Sequence, residues 1–355
     1  MPDLKRILVV RTDRLGDVVL TLPLLSILRQ HHPQAHIAML TGTYAGELIA
    51  GNPFLNELIP YDEGGRLIPF GRIRRMLGEK NFDAAVIVHP TPRLALLAFT
   101  ARIPIRIGTG YRWYGLLFNR RIFTHRKTAE RHEAEYNCEL LTPLGCALPK
   151  DGQFDFTLKI PESAERAAET LLREIGIAGS GRFAVLHPGS GGSAREWPVE
   201  SFGHLAAEFV ERFGMPVLVT GTASEMHAVE SVVRISGGKA MGVAGRLGIK
   251  ELAALLRRAA LVVANSTGPL HIAVAVGTPV LGFYPQIPVM GPRRWGPYTR
   301  NARVLVPEKP IDCAECTGVA GTPCACMASI SVEAAVRAAG ELLELNHAGA
   351  VLHGS

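Results

Sequence analysis

Aromatic side chains make up only 6% of this 355-residue chain, which argues against a β-sandwich and against a lectin that grips sugars by ring stacking. Lysine is sparse too, with eight residues among 38 basic ones. No run of roughly 18 apolar residues occurs, so no membrane-spanning helix is expected. Lys5 and Arg6 precede only the short apolar run from Ile7 to Val10, without a small-residue cleavage site, so no secretory leader is expected either. Together these absences predict a protein of the cytoplasm. In that compartment the six cysteines (Cys138, Cys146, Cys313, Cys316, Cys324 and Cys326) do not read as a disulfide framework. There is no Gly-Lys-Ser/Thr phosphate loop, no Gly-x-Gly-x-x-Gly fingerprint after the first apolar run, and no Asp-x-Asp pair near a strand end.

What is present is a long, well-built globular chain. At 47% hydrophobic and 20% charged residues it can bury two cores. The formal charge of +6 comes mostly from arginine, the better bidentate partner for phosphate. A GC-rich gene raises arginine and alanine equally well, so charge permits an anionic partner without naming one.

Short apolar runs alternate with amphipathic stretches. In the first half, strands are predicted at residues 6–10, 36–41, 58–61, 84–89 and 106–108, with helices at 18–29, 73–80, 93–102 and 133–144. Pro149, Gly152 and Pro161 mark a looser connection, followed by a helix at 163–175 and the glycines Gly176, Gly179 and Gly181. The alternation then restarts. Strands are predicted at 183–187, 215–220, 239–243, 261–264, 278–283 and 303–306, with helices at 199–213, 224–235, 250–259 and 269–276. Ser331 is a good N-cap for a last helix reaching about Leu345. Continuous apolar strands joined by helices mean a parallel sheet covered on both faces. The expected fold is α/β: two Rossmann-like, doubly wound parallel-sheet domains facing a cleft. Their predicted extents are residues 1–160 and 161–330, with a helix and tail at 331–355 packing back toward the first domain.

Four polar segments follow predicted strands. Arg11–Pro23 opens the first helix; Gly16 allows a tight turn, and Pro23 should kink the helix or start its regular part. Asp17 there can accept a proton from an incoming hydroxyl, or can serve simply as a helix-start carboxylate. In His187–Pro198, Gly189 and Ser190 expose backbone N–H groups and Arg195 adds a fixed positive charge. That suits a diphosphate, although a plain strand-to-helix loop would look similar. In Gly221–Glu225, Glu225 can receive ribose hydroxyls or cap its own helix. In Asn265–His271, Ser266, Thr267 and Gly268 precede Pro269 at a helix start that favours phosphate, and His271 is either a ligand contact or a packed polar residue. In the spacing Cys313-x2-Cys316-x7-Cys324-x-Cys326 only the first pair is that of a zinc knuckle, so no metal is assigned; a thiol-rich surface loop is the main reading and a structural metal at these four cysteines the minor one.

Taken in order, these segments, with Gly277-Thr278-Pro279 and the tail from Cys313 to Met327, resemble glycosyltransferase family nine, the ADP-heptose–lipopolysaccharide heptosyltransferases of GT-B fold. The resemblance implies Asp17 as general base in the Gly-Asp pair, with Thr12, Asp13 and Gly16 around the reacting groups. It implies Gly189, Ser190, Arg195, Gly221, Glu225, Ser266, Thr267, Gly268 and His271 as donor contacts. Arg195 stands where the family has a lysine. Ser266 stands where it often has an aspartate, and Asp13 and Arg14 replace smaller residues of some members.

The implied reaction is inverting, metal-independent and cofactor-free, moving a heptose or related sugar from an ADP-sugar to an inner-core acceptor linked to lipid A. The implied partners are the nucleotide-sugar, that acceptor and the inner face of the inner membrane, with no nucleic acid. Arg72, Arg74, Arg75, Arg112, Arg120 and Arg121 are candidates to meet the acceptor, and Leu116, Leu117 and Phe118 beside them leave peripheral membrane contact open. Two other readings remain at this level. One is a UDP-sugar transferase or epimerase of the same architecture; the other is a non-catalytic nucleotide-sugar binding protein.

Overall fold

A computed structural model describes residues 4–149, 152–177, 181–308 and 324–352, with 346–352 as backbone only. The chain divides into two compact units, Met1–Lys159 and Ile160–Ser355.

The apolar runs of the first unit become strands β1 (Arg6–Val10), β2 (His36–Thr41), β3 (Glu57–Pro60), β6 (Ala84–Ile87) and β7 (Ile105–Thr109), joined by a short edge strand β8 (Arg120–Ile122). Two residues each of β4 (Asp62–Glu63) and β5 (Arg66–Leu67) form a separate hairpin, turned by Gly64 and Gly65 at positive φ. The sheet runs β3-β2-β1-β6-β7-β8, every neighbour parallel. Strand order therefore reverses between β1 and β6, and the gap above their carboxyl ends is the place such sheets offer a ligand. Ile7, Leu8, Val9 and Val10 are all buried, as expected for a strand covered on both faces.

Two predicted helices are broken by proline. Residues 18–29 form Leu15–Val19 and then Leu22–His31, with Pro23 in the first turn of the second, where its missing N–H costs nothing. The helix predicted to reach residue 144 ends at Glu139; a 3-10 turn, Thr142–Leu144, follows, with Pro143 in its first turn and Gly145 left-handed behind it.

The second unit repeats the scheme with β9 (Ala184–His187), β10 (Val217–Val219), β11 (Ala240–Gly242), β12 (Leu261–Asn265), β13 (Val280–Phe283) and β14 (Ala302–Leu305). Their order is β11-β10-β9-β12-β13-β14, again all parallel, with the reversal between β9 and β12. Trp197, wholly buried, stacks on Phe283 at 4.1 Å and donates its indole N–H to the carbonyl of Ile330 at 2.9 Å. Removing that ring would cost about 3–5 kcal/mol.

Ser331 caps the last helix, Val332–Leu352, by accepting the Ala334 N–H at 3.1 Å. Its Ala335, Ala339, Leu342 and Leu343 join the Trp197 core of the second unit, where the helix packs on β12–β14 and the helix Val199–Phe213.

Candidate active site

At the first strand reversal, β1 runs out into Arg11, whose guanidinium is almost wholly buried. It donates from Nε to Asp13 Oδ1 at 2.6 Å, from Nη2 to Asp17 Oδ1 at 2.5 Å, and from Nη1 to Asn137 Oδ1 at 3.2 Å and Glu133 Oε1 at 3.4 Å. Glu133 and Asn137 lie one helical turn apart on Glu133–Glu139, so both face the same group. Arg126 reaches the same pair, at 2.6 Å and 3.0 Å. His89, just beyond β6, puts Nδ1 3.4 Å from the other oxygen of Asp13, which closes the cluster across the reversal. The Asn137 amide also donates to the carbonyl of Leu20 at 3.0 Å, tying this helix to the turn that carries Asp17.

Asp17 sits in the first turn of Leu15–Val19, its side chain 14% exposed. Burial is the main cause that pushes its carboxyl up, to about 6. Arg11 pulls the other way but has three carboxylates to satisfy, and Asp13 and Glu133 repel a further negative charge. For Arg11 the balance is opposite: burial opposes its charge, and Asp17, Asp13 and Glu133 together hold it protonated. Burial also lowers His89, against the attraction of Asp13. The result is one partly accessible carboxylate, poised near neutrality, in a rigid hydrogen-bonded frame.

At the second reversal, Asn265 ends β12 and bridges the two loops. Its amide donates to the carbonyl of Pro188 at 2.7 Å, and its oxygen accepts the Trp197 N–H at 2.9 Å. The loop between those residues is thereby clamped at both ends. Within it, Ser190 donates to Glu196, and the carbonyl of Ser190 accepts the Ser193 hydroxyl at 2.7 Å. Arg195 is buried. A side chain at Gly189 would stand 2.1 Å from Glu225 Oε1, so glycine lets that carboxylate lie against the loop. Gly221, just beyond β10, is likewise closed in by Val229 and Glu225.

Glu225 accepts the Thr222 N–H at 2.8 Å, so it does cap its own turn while facing Gly189. Burial works to raise it, but the Thr222 and Gly191 N–H groups and nearby His187 outweigh this and hold it below the ordinary carboxylate range. His187 itself bonds Thr220 Oγ1 at 2.9 Å, and burial lowers it against the pull of Glu225.

Thr267 is the N-cap residue of Gly268–Ala275, with Gly268 and Pro269 in the first turn. Its hydroxyl turns back to the carbonyl of Asn265 at 3.2 Å, which leaves the first-turn N–H groups at the helix start to other acceptors. Ser266 interacts with the buried phenol of Tyr284, which in turn donates to the carbonyl of Trp295 at 2.8 Å. His271 is buried in the first turn of the same helix.

Thr12 and Gly16 lie on the Asp17 turn, half-buried and buried respectively. Of the basic residues expected to meet an acceptor, Arg72 is engaged by Glu63 in a two-pronged pair at 2.7 Å and 2.9 Å. Cys313 and Cys316 lie outside the described residues. Cys324 and Cys326 are buried with their sulfurs 2.9 Å apart. Among the described residues no group of three His, Cys, Asp or Glu side chains is placed to hold a metal ion.

Sequence reasoning did not single out Arg11, Glu133, Asn137, Arg126 or His89, nor the bridging role of Asn265. The one local signal was Arg11 itself, a charge directly after a fully apolar strand.

A sequence model described as glycosyltransferase family 9 (heptosyltransferase) matches residues 70–319, well over half of the chain. Lipopolysaccharide heptosyltransferase 3 of Escherichia coli K12 is 28% identical over 297 residues, covering 81% of this chain and 83% of its own length. A glycosyl transferase family 9 structure from Veillonella parvula superposes with a TM-score of 0.81 at 26% identity, covering 96% of this chain and 97% of that one. The E. coli ADP-heptose LPS heptosyltransferase II structure shares the fold, with a TM-score of 0.78 at 21% identity over 96% of this chain and 99% of that one. With two parallel six-stranded α/β sheets in the GT-B manner and a family model that matches residues 70–319, the chain belongs to glycosyltransferase family 9, the heptosyltransferases.

Proposed function

We propose that the chain transfers a heptose from an ADP-sugar to the lipopolysaccharide core, by a single inverting displacement with Asp17 as the general base. The observation that carries this reading is the state of Asp17: a carboxylate partly open to its surroundings, oriented by Arg11 Nη2 at 2.5 Å, and raised to about 6. A base at that value is largely ionised at pH 7 yet strong enough to accept a hydroxyl proton as the carbon–oxygen bond forms. The curated relative named above acts on lipopolysaccharide, and the E. coli structure bears the name of an ADP-heptose enzyme; both support the choice of donor and acceptor.

In this reaction the acceptor oxygen attacks the anomeric carbon while its proton passes to Asp17 Oδ2, the oxygen not bonded to Arg11. The bond from the anomeric carbon to the diphosphate breaks, and ADP departs with the electron pair. The negative charge that develops on the diphosphate is met by the first-turn N–H groups of Gly268–Ala275, the Gly189–Ser190 backbone and Arg195. Glu225, held ionised beside Gly189, accepts hydroxyls of the donor ribose. No step requires a metal ion.

The test is the product. Purified chain, ADP-heptose and a deacylated core oligosaccharide should give equimolar ADP and a glycoside whose anomeric configuration, read by NMR, is opposite to that of the donor. Activity should persist in EDTA. A retained configuration, or turnover with UDP-sugars alone, would remove the proposal in favour of another nucleotide-sugar enzyme.

A further inference from the structure

The helix Glu133–Glu139 carries a carboxylate that its own fold does not call for. The start of the helix is closed by His132 and Glu135, which form a capping box. Its packing is supplied by buried Ala134, Tyr136 and Cys138, and by the Asn137 amide on the carbonyl of Leu20. Neither task needs the Glu133 carboxylate, whose side chain is 2% exposed. So deep a position suits an apolar residue unless the charge is answered.

What Glu133 meets is two guanidiniums. Its Oε1 accepts from Arg126 Nη1 at 2.6 Å and from Arg11 Nη1 at 3.4 Å. Asn137 Oδ1 accepts from the same two nitrogens, at 3.0 Å and 3.2 Å. Arg126 opens the 3-10 turn Arg126–Thr128, and its Nη2 donates to the carbonyl of Tyr136 at 3.2 Å. Two cations from distant segments are therefore held side by side by one carboxylate and one amide.

The charged groups gathered around Asp17 then have an odd member. Arg11 follows β1, and Asp13 lies on the turn between them. Glu133 comes from the helix, Arg126 from the 3-10 turn and His89 from beyond β6. Burial lowers His89, which leaves it neutral at pH 7. Two cations thus face three carboxylates, a surplus of one negative charge. Glu133 is held by two guanidiniums, and Asp13 lies between Arg11 and His89. Asp17 takes Arg11 Nη2 at 2.5 Å, and the surplus is felt there.

We infer that Glu133 is a positioning residue for the base: seated between Arg11 and Arg126, it gives the cluster one carboxylate more than its cations can answer, and so sets how firmly Asp17 holds a proton. An amide at position 133 can still accept from both guanidiniums, but it removes the surplus. Loss of Arg126 enlarges it. At the effective dielectric of such sites, one unit charge a few ångströms away changes a proton affinity by at least ~10-fold. The inference rests on Asp17 as the base, and its first readout is independent of turnover.

The test titrates the Asp17 carboxyl carbon by NMR in the full chain, with the signal identified by its loss in Asp17→Asn. The same proteins are followed by kcat/KM against pH. Glu133→Gln should move both the titration and the acid limb to lower pH by at least about one unit. Its plateau rate above pH 8 should fall severalfold, because a weaker base draws the proton less readily, while the donor KM stays the same. Arg126→Gln should move both readouts to higher pH, and the double variant should fall between. Glu135→Gln, at the capping box of the same helix, should move neither. A merely structural Glu133 predicts instead a lower melting temperature in Glu133→Gln with the Asp17 titration in place. That result, or shifts of the same sign in Glu133→Gln and Arg126→Gln, would overturn the inference. If Glu133→Gln does not fold, Arg126→Gln decides: an Asp17 titration that fails to rise overturns it. Carboxyl shifts as expected, with an acid limb that ignores them, would uphold the hold of Glu133 on Asp17 and remove Asp17 as the base.

Discussion

Replacing Asp17 by asparagine should make the protein more stable at neutral pH while it slows turnover by orders of magnitude. A free aspartate titrates near about 3.9. In the folded chain burial and the neighbouring Asp13 and Glu133 push Asp17 to about 6 despite Arg11. Ionised Asp17 is thus disfavoured in the native state relative to the unfolded chain, by about 3 kcal/mol. The sign follows from proton binding. Between about pH 4 and pH 6 the native state holds more protons than the unfolded one, so wild-type stability rises as pH falls through that window.

Asparagine keeps the shape and can still accept from Arg11, but carries no charge to desolvate. Its advantage should be largest above pH 7 and should fade as pH approaches about 4. Near pH 8 the first unit of Asp17→Asn should melt roughly 5–10 °C above wild type. Calorimetry of both proteins across this pH range reads the gap directly. An asparagine variant less stable than wild type at pH 8, or a gap that ignores pH, would refute the electrostatic account of the site.

The same titration should appear in catalysis: kcat/KM falls on the acid side with an apparent value near 6, as protonation removes the base. Arg11→Met should cost about 3–5 kcal/mol in urea denaturation, because Asp13, Asp17 and Glu133 lose their shared cation, and should move that acid limb upward. Gly189→Ala should displace Glu225, at a cost of about 1–3 kcal/mol and a raised KM for the donor; Glu225→Ala in the same chain should recover part of the stability, as a double-mutant cycle will show. Asn265→Leu should destabilise by roughly 2–5 kcal/mol, since the Pro188 carbonyl and the Trp197 N–H are both left unpaired, and the loss should be visible in chemical denaturation of the second unit.

Much of this fold was legible because parallel strands covered on both faces are short unbroken apolar runs. Ile7 to Val10 and Leu261 to Ala264 could be little else. β8 was not legible: it has three residues, two of them exposed arginines, and it forms because β7 offers an open edge. The last helix advertised an apolar face but not its partner, since periodicity states which side is buried and not against what.

The same division holds for the site. Strand–glycine–helix turns such as those at Gly16, Gly189 and Gly268 are local patterns, readable in a dozen residues. The frame that sets the chemistry is not local: Arg11 meets Glu133 across 122 residues, and Asn265 meets Pro188 across 77. No spacing rule spans such distances. The restlessness of Asp17, an acid held near neutrality, exists only once the chain has brought three carboxylates to one guanidinium.

The most direct measurement is single-turnover transfer from ADP-heptose to a deacylated core acceptor, with wild type and Asp17→Asn side by side at pH 8 and donor saturating. A general base predicts a loss of about 10²–10⁴ in rate, with donor binding unchanged. Transfer by the asparagine variant at the wild-type rate would contradict the central claim, whatever the fold.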